Sequence, residues 1–327
     1  MPSLLARFAE NNFWLARYME RAENLARILD VNETFAQDSR GPEDWLPIVH
    51  LHADDARFFG AHAAATAEAV IHFYVLDGAN PTSIISAVRM ARENARSLRH
   101  LISTEMWRHL NVFYNRLVGL GPADLALSNL SSLCATIKED CQLHAGIVEG
   151  TYYRDQGWYF YHLGKYLERA DQTTRLLDIN THRLVPSPGA AGTGADASQW
   201  NAVLRSAAGY HAFRRAYPSG MEPAKVAQFL LFDRGFPRSV AVCVREMVEL
   251  FRGLTSLPDL AGAPVRTGAL EALRHAGEAS DVNQVLTTGL HEFLDQLQIQ
   301  LIRLTNDLGS TFFGHRDDHG AASQDQS

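Results

Sequence analysis

Residues 14–32 read WLARYMERAENLARILDVN, and residues 162–180 read HLGKYLERADQTTRLLDIN. At a constant offset of 148 residues, Leu15 falls on Leu163, Tyr18 on Tyr166, Glu20 on Glu168, Arg21 on Arg169 and Ala22 on Ala170. Arg27 falls on Arg175, Leu29 on Leu177, Asp30 on Asp178 and Asn32 on Asn180, while Glu23 meets Asp171 and keeps its carboxylate. An internal repeat is sought first because missing one misreads the fold. In the first copy Leu15, Tyr18, Ala22, Leu25 and Leu29 recur at spacings of three and four, which predicts a helix with one apolar seam. Leu163, Tyr166, Ala170, Thr173 and Leu177 repeat that seam.

The correspondence continues at an offset of 155 residues with Trp45 on Trp200 and Phe58 on Phe213. One insertion later, at 156, Phe73 meets Phe229, Asp77 meets Asp233, Pro81 meets Pro237 and Ser83 meets Ser239. The expected architecture is therefore all-α, a pseudo-two-fold helical bundle of two repeated halves of about 150 residues, 1–150 and 151–313, packed as one unit. Residues 123–153 and 281–313 read as long helices. Asp155 reads as an N-cap with Gly157 in the first turn behind it. Asn80 and Pro81 read as the cap and first position of the helix that follows, and Pro237 as the matching start. Period-2 strand patterns are missing. The stretch LVPSPGAAGTGADAS (184–198) reads as a mobile loop, QDSRGPED as its shorter counterpart, and the tail 314–327 as disordered.

The 327 residues are 46% hydrophobic and 20% charged, enough for a proper core, and carry a net charge of −7. That balance excludes a nucleic-acid footprint. Cys134, Cys141 and Cys243 form no disulfide framework. The first residues turn polar too early for a signal peptide, and no run is apolar enough to span a bilayer. A soluble, cytoplasmic protein with no membrane partner is expected.

On a helical wheel with Glu20 at zero, Glu23 lies near 300° and Arg27 near 340°, opposite the apolar seam. The second copy keeps this stripe as Glu168, Asp171 and Arg175. A solvated face with i,i+4 pairing explains such a stripe on one helix. Its repetition, and the apolar Trp14, Met19 and Ala26 outside the seam, point instead to a helix surrounded by others. If the two helices face each other, Glu20, Glu23, Arg27, Glu168, Asp171 and Arg175 meet in one polar cavity. Such a cavity holds a divalent metal such as Mg²⁺ between the carboxylates, clamps an anion between the arginines, or forms a buried ion-pair network. The Glu-x-x-His pattern of carboxylate di-metal bundles is missing at both copies.

Arg92, Arg96 and Arg99 share a helical face and form a second candidate, an anion-binding stripe. His50 and His52 lack a third ligand at metal spacing, Cys141 and His144 share a face with nothing to join them, and His291, Glu292 and Asp295 sit together on the last helix. Nucleophile-elbow, phosphate-loop, dinucleotide and HExxH motifs are all missing.

Five segments in order resemble the bacterial alpha-E domain family: WLARYMERAENLARILDVN, RENARSLRHLISTEMW, EGTYYRDQGWYFYHLGKYLERADQTTRLLDIN, FLLFDRGFPRSV and GLHEFLDQLQ. The resemblance covers residues 1–313 and implies an all-helical cytoplasmic protein of unknown function. It further implies an ATP-grasp-type ligase and a transglutaminase-like protein as partners, because family genes commonly sit beside genes for both. Its characteristic glutamates match Glu20, Glu23 and Glu168, with Asp171 in the fourth place. Three roles follow as expectations. The chain is a binding or assembly partner in a peptide-forming or peptide-modifying system, a carboxylate-site enzyme on an amino-acid or peptide substrate, or a purely structural bundle.

Overall fold

A computed structural model describes residues 4–38, 44–179, 194–258, 260, 267–278 and 282–315. Among them the chain forms fifteen α-helices and no strand. They are α1 (Leu4–Asp38), α2 (Leu46–Leu51), α3 (Asp55–Ala61), α4 (Ala67–Val75), α5 (Ile84–Ser97), α6 (Thr104–Val118), α7 (Leu127–Thr151) and α8 (Gln156–Asp178). After these come α9 (Gly194–Ser206), α10 (Tyr210–Ala216), α11 (Pro223–Phe232), α12 (Val240–Thr255), α13 (Gly268–Glu278), α14 (Val282–Thr288) and α15 (Leu290–Leu308), closed by a π-turn at Gly309–Phe313.

Four residues of the expected seam of α1, Leu15, Ala22, Leu25 and Leu29, are enclosed, and the fifth, Tyr18, is partly buried. Met19 and Ala26 outside it are enclosed too, because α8, α5 and α7 pack around the same helix. α8 in turn packs on α12 and α15. Contacts between α1 and α8 advance together along both chains, from Phe13 at Gly164 to Arg17 at Glu168 and Glu20 at Arg169, so the two helices run parallel. They lie between two apolar clusters. One is drawn from residues 15–161, and the other from Ala9, Phe13 and residues 160–313. Burying a Leu or Phe side chain in such a cluster contributes roughly 1.5–3 kcal/mol.

The parallel pair comes close because Gly164 has no side chain. A Cβ there would overlap the backbone carbonyl oxygen of Phe13. Backbone cannot swing away as a side-chain tip can, so Gly164→Ala is expected to cost about 3 kcal/mol, at the upper end of overpacking effects. Chemical denaturation tests this, and a variant as stable as the parent would show that the helices are not held this tightly.

Several helix boundaries depart from the sequence expectation. Asp155 does cap α8, accepting from Gly157 N at 2.9 Å and Trp158 N at 3.4 Å. But α5 begins three residues after Pro81. Ser83 is its N-cap, accepting from Ser86 N, and Ser239 does the same for α12. Asn80 is spent elsewhere: its Nδ2 donates to Phe73 O at the end of α4, and its Oδ1 accepts from Thr82 N. The long helix expected over 123–153 spans 127–151, and that over 281–313 is broken at Gly289, whose φ of 126° no L-residue adopts readily. α9 begins at Gly194, inside the stretch expected to be a loop. The remainder of that loop (184–193), residues 39–43 of QDSRGPED and the tail from Arg316 lie outside the described residues. No helix of the described residues is long and apolar enough to cross a membrane, and the three cysteines are buried free thiols.

Candidate functional site

Glu20 of α1 and Glu168 of α8 pair across the helix interface, each with arginine of the other helix. Glu168 is fully buried and accepts from Arg17 Nε at 2.7 Å and from Arg21 Nε and Nη2 at 2.8 and 3.1 Å. Gln172 Nε2 adds a fourth bond at 3.1 Å. In the reverse direction Glu20 takes Arg169 in a two-pronged pair, Nε to Oε2 at 3.2 Å and Nη2 to Oε1. Arg238, just before the cap of α12, donates to Glu20 Oε2 at 3.3 Å, to Asn24 Oδ1 at 3.0 Å and pairs with Glu23 at 3.0 Å. Glu-Arg occurs twice in the chain, at 20–21 and 168–169, and each glutamate binds the arginine of the other dipeptide.

Burial alone pushes both carboxyls up, since a charge in a low-dielectric interior is costly. The facing guanidiniums outweigh it. Arg169 and Arg238 hold Glu20 at about 2, and Arg21 with Arg17 hold Glu168 well below the carboxylate range. Both glutamates are therefore ionised in the folded protein, and their multiple charge-assisted hydrogen bonds offset the cost of taking them from water.

The rest of the expected stripe also pairs within its own helix, although Glu23 additionally holds Arg238. Glu23 pairs with Arg27 at 2.5 Å and Asp171 with Arg175 at 2.8 Å, both four residues apart. The six candidates thus form two clusters instead of one shared cavity. Glu20 and Glu23 line a cavity of about 190 Å³ with His144, Lys165, Arg169 and Arg238. Arg27, Glu168, Asp171 and Arg175 are not part of that lining. The reason is geometric: guanidiniums stand between the carboxylates of the two helices and consume their oxygens. A divalent cation at Glu20 or Glu168 has to displace two guanidiniums, so this donor set suits ion pairing and does not fit Mg²⁺.

Of the expected arginine stripe, Arg92 and Arg96 lie on α5 and are likewise occupied, while Arg99 falls past the end of that helix at Ser97 and so off its face. Arg92 and Arg96 share Glu93, at 3.1 and 2.8 Å, and Arg92 also donates to Asn111 Oδ1 at 2.8 Å. The Arg92 and Arg99 guanidiniums lie over the Trp107 ring, 5.8 and 5.7 Å from its centroid. Glu93 takes the place an anion would fill. On the last helix His291 bonds Asp178 at 2.6 Å and faces Asp295 at 3.7 Å. Those three form the one group with metal-ligand spacing among the described residues, and Glu292 is outside it. His50 pairs with Asp55 instead of with His52.

Helical phase does not single out Arg17, Arg21, Arg169, Arg238 or Lys165. The signal for two of them was present, since Arg21 and Arg169 occupy equivalent positions of the repeated segment.

A family model described as a predicted alpha-helical domain with a conserved ER motif matches residues 4–313. The chain belongs to the Alpha-E family. The Glu-Arg dipeptides of this Alpha-E chain are the residues that cross-link α1 to α8. Among its relatives are the uncharacterized protein Mb2597 of Mycobacterium bovis, 25% identical over 271 residues, and the uncharacterized protein Rv2567 of Mycobacterium tuberculosis, 24% identical over 271 residues. Each alignment covers 77% of this chain and 30% of the relative, so the Alpha-E chain spans less than a third of those proteins. No solved structure matches it.

Proposed function

We propose that this Alpha-E chain is a binding and assembly component of a cytoplasmic peptide-forming or peptide-modifying system, docking an ATP-grasp-type ligase and a transglutaminase-like protein. The observation that carries this reading is the relatives' architecture: the matching segment is 30% of their length, so the Alpha-E unit there is joined to a larger body of other sequence. A fold that is covalently tied to other domains in relatives is suited to work against a partner surface. The charged centre supports the same reading, because its carboxylates are committed to arginines and are poor general bases or metal ligands. We further infer that the two halves arose by duplication, which accounts for the reciprocal Glu20–Arg169 and Glu168–Arg21 pairs across a pseudo-two-fold axis.

Co-expression of the chain with a candidate ATP-grasp-type ligase is the test. The two are expected to co-elute as a stoichiometric complex at micromolar concentration and to yield a new peptide product by mass analysis. Separate elution, with the ligase fully active alone, removes the assembly role.

A further inference from the structure

The cavity beside Glu20 has no equivalent reason to exist beside Glu168. At the offset of 148 residues, Lys165 stands where Arg17 stands and Tyr161 where Phe13 stands. Arg17 closes on Glu168 at 2.7 Å. Lys165 does not close on Glu20. Its ion-pair partner is Glu149, 3.8 Å away and half exposed, although Lys165 itself is largely enclosed. The substitution of lysine for arginine thus leaves an under-used ammonium on the cavity wall, and tyrosine for phenylalanine adds a hydroxyl there.

A second, independent observation comes from α7. His144 is fully buried and lines the same cavity, and neither of its ring nitrogens has a hydrogen-bond partner. A neutral imidazole carries one donor and one acceptor, and leaving both unmet in the interior is costly. The wall bears three cations, Lys165, Arg169 and Arg238, against two carboxylates, Glu20 and Glu23, that are already held by guanidiniums. The lining alone is thus one positive charge in excess, offset only by half-exposed Glu149 outside it, 3.8 Å from Lys165. A dianion such as phosphate has to share this small space with both carboxylates. The volume of about 190 Å³ equals that of about six waters at roughly 30 Å³ each. Exposed Gln142 belongs to the lining and marks the side open to solvent.

We propose that this cavity binds a small monocarboxylate of amino-acid size, its carboxylate on the Lys165 ammonium and its other polar atoms against His144 and the Tyr161 hydroxyl. The proposal rests on the cavity and not on partner docking, so the two stand or fall separately. The probes are acetate, propionate, L-lactate and inorganic phosphate, titrated into the full chain alone and followed by ligand-detected NMR and thermal unfolding. At least one carboxylate is expected to bind with a millimolar or tighter Kd and to raise the melting temperature. Lys165→Gln is expected to weaken that binding about tenfold or more. His144→Phe is expected to weaken it several-fold in a protein at least as stable as the parent, since it removes two unmet polar atoms, and so it reads binding apart from folding. No carboxylate binding at tens of millimolar, tighter binding of phosphate than of any carboxylate, or binding unchanged in both variants overturns the proposal.

Discussion

Glu168→Gln is expected to lower the stability of the folded chain by about 3–5 kcal/mol, the range for breaking a buried ion pair from one side. Glu168 is fully buried, and it neutralises two guanidiniums, Arg17 and Arg21, whose side chains are only 10% and 23% exposed. Arginine does not give up its proton in a protein, so removing the carboxylate leaves two like charges facing each other in the interior. The amide also presents an N–H₂ group to donors that need acceptors. An exposed pair provides the contrast. Glu271 and Arg274 meet at 2.8 Å on the surface of α13, where solvent screens the pair, and Glu271→Gln is expected to leave stability essentially unchanged. Urea unfolding of the two variants beside the parent reads both values. Equal, small losses would mean that Glu168 is hydrated and that the interface between α1 and α8 is open.

Acid is expected to destabilise the protein well before its carboxylates titrate. His144 and His162 are both buried, and each is held at about 3. Burial is the main cause for both, helped by His109 and Lys165 at His144 and by Lys165, Arg154 and Arg169 at His162. Glu149 lies 3.6 Å from His162 Nε2 and favours the imidazolium, but it is half exposed and does not outweigh burial. Between pH 6.5 and about 3 the unfolded chain therefore takes up protons that the folded chain refuses. Stability is full above the ordinary histidine value and falls as pH drops below it, by about 1.4 kcal/mol per pH unit for each histidine. Two histidines give roughly 3 kcal/mol per unit, which over two units approaches the whole stability of an ordinary domain. His52, also held at about 3 by burial with Arg21 and Arg175 nearby, acts in the same sense. Glu20 adds its own loss only below about 4.5, as pH falls toward the folded value of about 2. Urea midpoints measured from about pH 7.5 to 4.5 should be level at first and then fall steeply, and His144→Phe should flatten the fall. A midpoint unchanged down to pH 4.5 contradicts the enclosed histidines.

The parts of this fold that are local were readable from the sequence. The three-and-four spacing of Leu15, Tyr18, Ala22, Leu25 and Leu29 marks a helix whatever packs on it, and Asp155 caps α8 with its own side chain. Trp14, Met19 and Ala26 outside the seam announced that α1 has neighbours on more than one side. Boundaries failed where two cap-type residues competed: Asn80 serves the end of α4, which leaves Ser83 to start α5. Glu20 and Glu168 were legible as candidates because the stripe is repeated. Their partners were not, because a helical wheel sorts one helix by angle and carries no information on what stands across from it. Arg21 lies 100° from Glu20 on that wheel and falls outside the stripe, yet its long stem brings the guanidinium round to Glu168. Arg238 is more than two hundred residues from Glu20 and reaches it only through the packing of α8 on α12.

The central claim is that the two Glu-Arg segments hold α1 and α8 together by exchanging partners. A double-mutant cycle on Glu20→Gln and Arg169→Met measures it directly, because these residues are 149 apart in sequence and touch only through the exchange. A coupling of about 2 kcal/mol or more is expected, with the double variant far more stable than the sum of the two single losses implies. Losses that add to within about 0.5 kcal/mol would show that Glu20 and Arg169 do not interact, and the exchange would be wrong.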